Sequence, residues 1–130
     1  MTTIFPTGTC FDDAIEQFGV LLDANKHAML VHAICVGDDG TRYAHAWVEE
    51  GGTAWDSGVL ADGRRLAYAV PVLEFYSARR VEQKWRYSPL EMLRANRKHG
   101  TYGPWEPELV ALCGNGGRVV GSVQATWRGR

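Results

Sequence analysis

No stretch of these 130 residues comes near the roughly 20 consecutive apolar residues that a membrane-spanning helix requires. The opening Met1-Thr-Thr-Ile-Phe-Pro has neither the basic region nor the apolar core of a secretory signal. The expectation is a soluble, cytoplasmic protein with no membrane partner. Cysteine is scarce, and Cys10, Cys35 and Cys113 are odd in number and lack CxxC spacing, which excludes a disulfide framework or a thiolate zinc cluster as the organising device. Each is therefore read as a separate thiol. Internal repeats, low-complexity tracts and Pro/Ser-rich linkers are also missing, so residues 1–130 read as a single domain. With 45% apolar and 22% charged residues, disorder and fibrous architectures are excluded as the overall state.

The net charge of −1 is small but unevenly spread. Up to residue 62, ten acids stand against only Lys26 and Arg42, whereas the remainder is basic. Complementary packing of the two halves is the expected use of that asymmetry. The basic run Arg79, Arg80, Lys84, Arg86, Arg94, Arg97 and Lys98, interleaved with Tyr76, Trp85, Tyr87 and Trp105, could instead follow a phosphate backbone. A solvated face with ion pairs to the acidic half is preferred, and nucleic acid is not the expected partner.

From Asp12 to Asn25, Ala14, Ile15, Phe18, Leu21 and Leu22 recur at spacings of three and four, which predicts a helix with Asp12, Asp13 and Glu16 in its first turn and Cys10 at its N-terminus. The period then changes. The apolar run Ala28–Val36, the turn cluster Gly37–Gly40, the alternating Thr41–Glu50, the pair Gly51-Gly52 and the segment Thr53–Ser57 predict three strands in two hairpins. Arg65–Val72 and Val81–Tyr87 are candidate further strands. Ser88-Pro-Leu-Glu91 is a capping box with proline at the first helical position, opening a helix that Gly100 stops. Tyr102–Pro107 reads as a loop, and Tyr102-Gly-Pro-Trp105 is either a lid or a well-packed connection. Beyond Glu108 the pattern is weak, with Arg118–Trp127 a candidate late strand. The predicted class is α+β, with an N-terminal helix packed on an antiparallel sheet.

A two-residue turn at Gly51-Gly52 pairs Glu50 with Thr53 and makes His45 and Asp56 diagonal neighbours on one sheet face, close enough for a carboxylate to orient an imidazole. The same reasoning at the preceding turn pairs Val36 with Thr41 and sets His32 opposite His45. One face would then carry His32, Tyr43, His45, Trp47, Glu49 and Asp56, and the other Ala33, Cys35, Ala44, Ala46, Val48 and Trp55. A thiol at a helix N-terminus is favoured as a thiolate, and Cys10 could complete a Cys-His-Asp set. His32, His45 and Asp56, with Cys10 as a fourth, could alternatively hold zinc, although no ligand spacing supports it.

These residues resemble the transglutaminase-like superfamily of papain-related cysteine enzymes. Gly8-Thr-Cys10-Phe-Asp12-Asp-Ala14 is similar to that family's G-x-C-x-D-x-A segment, His45-Ala-Trp-Val-Glu49 to its H-A-W-V-E strand, and Trp55-Asp56 stands where the family places its orienting aspartate. The similarity spans residues 8–57. It implies a papain/transglutaminase-like core with Cys10 as nucleophile, His45 as general base and acid, and Asp56 as orienter. The implied chemistry is acyl transfer or hydrolysis on an amide or thioester carbonyl of a protein or peptide substrate, as a peptidase, deamidase or transglutaminase would perform, with no cofactor. His32, Tyr43, Trp47 and Trp105 are expected as substrate contacts or site walls. The alternative reading is a non-catalytic module of the same fold whose basic second half contacts an acidic partner or nucleic acid.

Overall fold

The computed structural model describes residues 2–4, 8–113 and 125–127. Helix α1 spans Cys10–Asp23, and the five-stranded antiparallel sheet contains β2 (Ala28–Val36), β3 (Arg42–Glu50), β4 (Thr53–Val59), β5 (Arg65–Pro71) and β6 (Gln83–Tyr87) in the order β5-β4-β3-β2-β6. Helices α2 (Val72–Arg79), α3 (Pro89–His99) and α4 (Pro107–Cys113) follow the sheet's connections, and β1 (Thr2–Ile4) pairs with β7 (Ala125–Trp127). Among the described residues no helix is long and apolar enough to cross a membrane.

The expected α1, three central strands, β5 and capped α3 are present. Ser88 accepts from the Glu91 main-chain N–H while the Glu91 carboxylate accepts from that of Ser88, and Gly100 closes the helix at a φ of 71° that favours glycine. Three elements carry no clear periodic signal and were not expected: β1, the eight-residue α2 and the seven-residue α4. The candidate strand Arg118–Trp127 is realised at Ala125–Trp127, and the rest of it lies outside the described residues.

The register of the first hairpin differs from expectation. Gly37 N–H donates to the Thr41 carbonyl at 2.9 Å and Thr41 N–H to the Asp39 carboxylate at 2.9 Å, which places Thr41 inside the turn. Val36 therefore opposes Arg42, His32 opposes Ala46, and Ala33 opposes His45. A one-residue slip exchanges faces along a whole strand. Val31, Ala33 and Cys35 thus join Tyr43, His45 and Trp47, whereas Leu30 and His32 join Ala44, Ala46 and Val48.

Both faces are covered, and this explains why β2 reads as a continuous apolar run and not an alternating one. The α1 stripe of Ala14, Phe18 and Leu21 packs with Leu30, Ala44, Ala46, Val48, Trp105, Leu109 and Cys113 into one core, against which Met92 and Ala95 of α3 rest. The opposite core joins Val31, Ala33, Cys35, Tyr43, Trp47 and Ala54 to Ile4, Val70 and Phe75. α2 covers this second face. Its Phe75 ring lies 4.8 Å from that of Trp47, and Tyr76 donates to Glu49, which also accepts from Trp47 Nε1 and Arg86. The expected polar site face is consequently an interior.

Candidate active site

The second hairpin begins as its glycines dictate. Gly51 and Gly52 have φ values of 56° and 79°, a conformation open to glycine at little cost, and they set the pairs Glu50–Thr53, Glu49–Ala54 and Val48–Trp55. The two strands then part, and β4 continues along β5 over its whole length, from Thr53–Pro71 to Val59–Arg65. Among the described residues the β3–β4 pairing ends at Val48–Trp55. His45 Nε2 lies 2.9 Å from Asp56 Oδ2, with both side chains almost wholly buried. Against an ionised carboxylate Nε2 carries the proton, which leaves Nδ1 as the ring's acceptor. Nδ1 is buried and has no hydrogen-bond partner among the described residues.

Asp56 is the centre of a larger network. Its Oδ2 also accepts from Tyr68 Oη at 2.8 Å and Arg79 Nη2 at 2.9 Å, while Oδ1 accepts from the Ser57 N–H at 2.8 Å. Arg79 further donates to the hydroxyls of Tyr68 and Tyr43. Burial works to raise the Asp56 pKa, but attraction to His45 and Arg79, with hydrogen bonds from His45 and Tyr68, outweighs it and brings the value from 3.8 to about 2. Burial raises Tyr43 to about 12, so that it stays a neutral hydroxyl, and Tyr68 also lies above its ordinary value. Sequence reasoning placed Arg79 in a solvated basic run, yet its side chain is 1% exposed. The available signal was the four-residue spacing of Phe75 and Arg79, which puts both on one buried stripe of α2.

Cys10 is the first residue of α1, as expected, and no side chain caps that helix end. The Ala46 main-chain N–H donates to its sulfur. Hydrogen-bonding direction alternates along an antiparallel strand, so Ala46, two positions from Val48, directs its N–H toward the side from which β4 has withdrawn. Cys10 therefore sits against the same break in the sheet as His45 and Asp56. It is not a thiolate in this form. Burial and the Asp56 charge push its pKa well up, and the Ala46 N–H and Arg79 do not offset them. Among the described residues no hydrogen bond joins Cys10 to His45.

The remaining candidates divide between the two faces. Tyr43 and Trp47 lie beside His45, with ring centroids 6.1 and 5.9 Å away. His32 and Trp105 do not: they meet each other at 4.8 Å on the Cys10 side of the sheet, with Phe11 and Tyr87 completing an aromatic box. Both His32 nitrogens are buried without a partner among the described residues, and burial lowers its pKa from 6.5 to about 3. The slipped register thus separates His32 from His45 and dismantles the alternative zinc set; among the described residues no group of three or more His, Cys, Asp or Glu could hold a metal ion. Cys35 and Cys113 are buried, with Cys35 raised to about 12 by burial.

Opposite charges in the two halves do meet. Arg79–Asp56, Arg86–Glu49 and Arg65–Asp13 each join a base of the second half to an acid of the first. A groove of about 250 Å³ runs between α1 and the β4–β5 ribbon, lined by Asp13, Glu16, Gln17, Ser57 and Arg65 among others. Comparison of this chain with protein-family models, with curated proteins and with solved structures finds no match.

Proposed function

We propose that this protein is a cysteine-dependent acyl-transfer enzyme of transglutaminase-like, papain-related type, acting on an amide or thioester carbonyl with Cys10, His45 and Asp56 as its catalytic set. The observation that carries this reading is the buried His45–Asp56 pair, whose Nε2 is held at 2.9 Å while Nδ1 is left without a partner. What sets His45 apart from the equally buried His32 is the Asp56 carboxylate, which fixes its tautomer with Nδ1 as the acceptor. An unpartnered acceptor at the break that also receives a helix-terminal thiol suits a general base.

In the reaction the Cys10 proton passes to His45 Nδ1 and the sulfur attacks the carbonyl carbon. The main-chain N–H of Cys10, at the uncapped start of α1, supplies a donor for the resulting oxyanion. Collapse breaks the bond to the leaving amine or thiol, which takes the proton from His45 and leaves a thioester on Cys10. Water or an amine then attacks that thioester while His45 accepts its proton, and the Cys10 sulfur recovers a proton as the product departs. Asp56, kept ionised by His45 and Arg79, holds the tautomer throughout. The groove beside α1 offers the approach for a polar peptide chain: Asp13 stands one turn beyond Cys10, and Ser57 adjoins Asp56.

Incubation with a small aryl thioester, followed by intact-mass and peptide analysis, tests the reading. An acyl adduct on Cys10 that disappears in His45→Ala is expected. A Cys10 that acylates equally without His45, or that stays unmodified under conditions in which iodoacetamide does label it, would overturn it.

A further inference from the structure

The proposed nucleophile is sealed, with Cys10 only 3% exposed in a core that also holds Trp105, Leu109 and Cys113. These three residues come from one contiguous stretch, and its α4 packs on β3, the strand whose Ala46 N–H holds the Cys10 sulfur. Resting on the catalytic reading above, we propose that Thr101–Cys113 is an autoinhibitory cover over Cys10, seated where Gly103 closes on His32, and that its displacement exposes the thiol to substrate.

The seat is specific. A Cβ on Gly103 would lie 2.6 Å from His32 Cε1 and 3.0 Å from Phe11 Cδ1, at a φ of 117° that side-chain-bearing residues rarely adopt. Only glycine fits between this loop and the floor of the aromatic box. Trp105 then lies over His32 and meets Tyr87 edge-on at 4.9 Å.

Trp105 Nε1 donates to the Thr101 carbonyl at 2.9 Å, which folds the loop on itself. Among the described residues the segment's side-chain hydrogen bonds to the rest of the protein are from Asn96 Nδ2 to the Thr101 carbonyl and from Tyr87 Oη to the Glu106 carboxylate, each at 3.0 Å. Closure withdraws both His32 nitrogens from water with no replacement partner, a cost that opposes the closed state and is relieved on opening. Among the described residues neither a disulfide nor a salt bridge anchors the cover. An apolar latch over a desolvated imidazole is suited to reversible opening.

The test is the iodoacetamide labelling rate of Cys10 and Cys35 at one fixed pH in wild type and Gly103→Ala, read by peptide mass spectrometry. Cys35 lies in the core on the opposite face and serves as the internal control. The expected result is a Cys10 rate raised at least about tenfold, corresponding to about 1.4 kcal/mol of lost latching, with Cys35 unchanged. A folded variant with an unchanged Cys10 rate would overturn the cover, as would Cys10 and Cys35 rising together through general loosening. If Gly103→Ala does not fold, hydrogen exchange on the wild type decides. Amides of residues 101–113 should open while those of β2 and β3 stay protected, and exchange only through global unfolding would refute the proposal. The two readings fail separately, because Cys10 exposed in Gly103→Ala but labelled equally after His45→Ala leaves the cover standing and removes the catalytic set.

Discussion

Arg79 reaches from the last turn of α2 to donate to Asp56 at 2.9 Å, in an interior where both side chains are almost wholly excluded from water. The guanidinium brings the charge that a buried carboxylate needs, and the pair ties the covering helix to the strand that carries the proposed orienting acid. Replacement by Arg79→Met takes the guanidinium charge from Asp56 and leaves it with His45, Tyr68 and the Ser57 N–H. The expected loss is about 3–5 kcal/mol in a urea titration, the range for breaking one side of a buried pair. Asp56→Asn in the same background should restore part of it, and equal losses in the single and double variants would show that the ion pair is not the cause.

His32 gives the fold a distinct response to acid. The unfolded chain takes up a proton on this side chain below pH 6.5, whereas the folded protein resists until about pH 3 because burial disfavours the imidazolium. Stability is therefore unaffected by this group above pH 6.5 and falls as the pH drops from there toward 3. His32→Leu should flatten the stability–pH curve in that window, and should stabilise the protein at neutral pH by about 1–3 kcal/mol by removing two unpartnered polar atoms.

Asp56 acts lower on the pH scale. Its folded pKa of about 2 lies beneath the ordinary 3.8, so its contribution is complete above 3.8 and is lost as the pH falls through 2. In His32→Leu the residual acid transition should fall in this lower window. A second substitution, Asp56→Asn, should then remove it, as followed by near-ultraviolet circular dichroism.

The capping box of α3 is the most local of the expected effects. Ser88→Ala removes the acceptor for the Glu91 N–H and should cost about 1 kcal/mol in thermal or chemical unfolding. Because none of α3's residues is buried, a loss much above that value would mean the helix is coupled to the core more tightly than its contacts suggest.

Much of this architecture is written in local pattern. The α1 stripe, the Gly51-Gly52 turn and the Ser88 box each involve residues within a few positions of one another, and the hairpin register that follows from Gly51-Gly52 brings His45 and Asp56 together. The first hairpin shows where such reasoning fails. A cluster of Gly37, Asp38, Asp39 and Gly40 allows loops of more than one length, and the Thr41–Asp39 hydrogen bond selects the longer one. That single position sends His32 to the opposite face. Arg79 and α4 were hidden for a different reason: α2 and α4 are only eight and seven residues long, too short for periodicity to declare itself, and their partners are distant in sequence. The burial of Cys10 is likewise a tertiary outcome, which no N-terminal helix position announces.

The parting of β3 and β4 also leaves a reporter inside the protein. The amide proton of Ala46, where a continuous ladder would offer a carbonyl oxygen from β4, rests on the Cys10 sulfur, a weak acceptor. Its nuclear magnetic resonance frequency is therefore tied to the chemical state of one thiol. Acylation, oxidation or a Cys10→Ser exchange should each move that one backbone signal, so the state of Cys10 can be followed in solution without a substrate or a label.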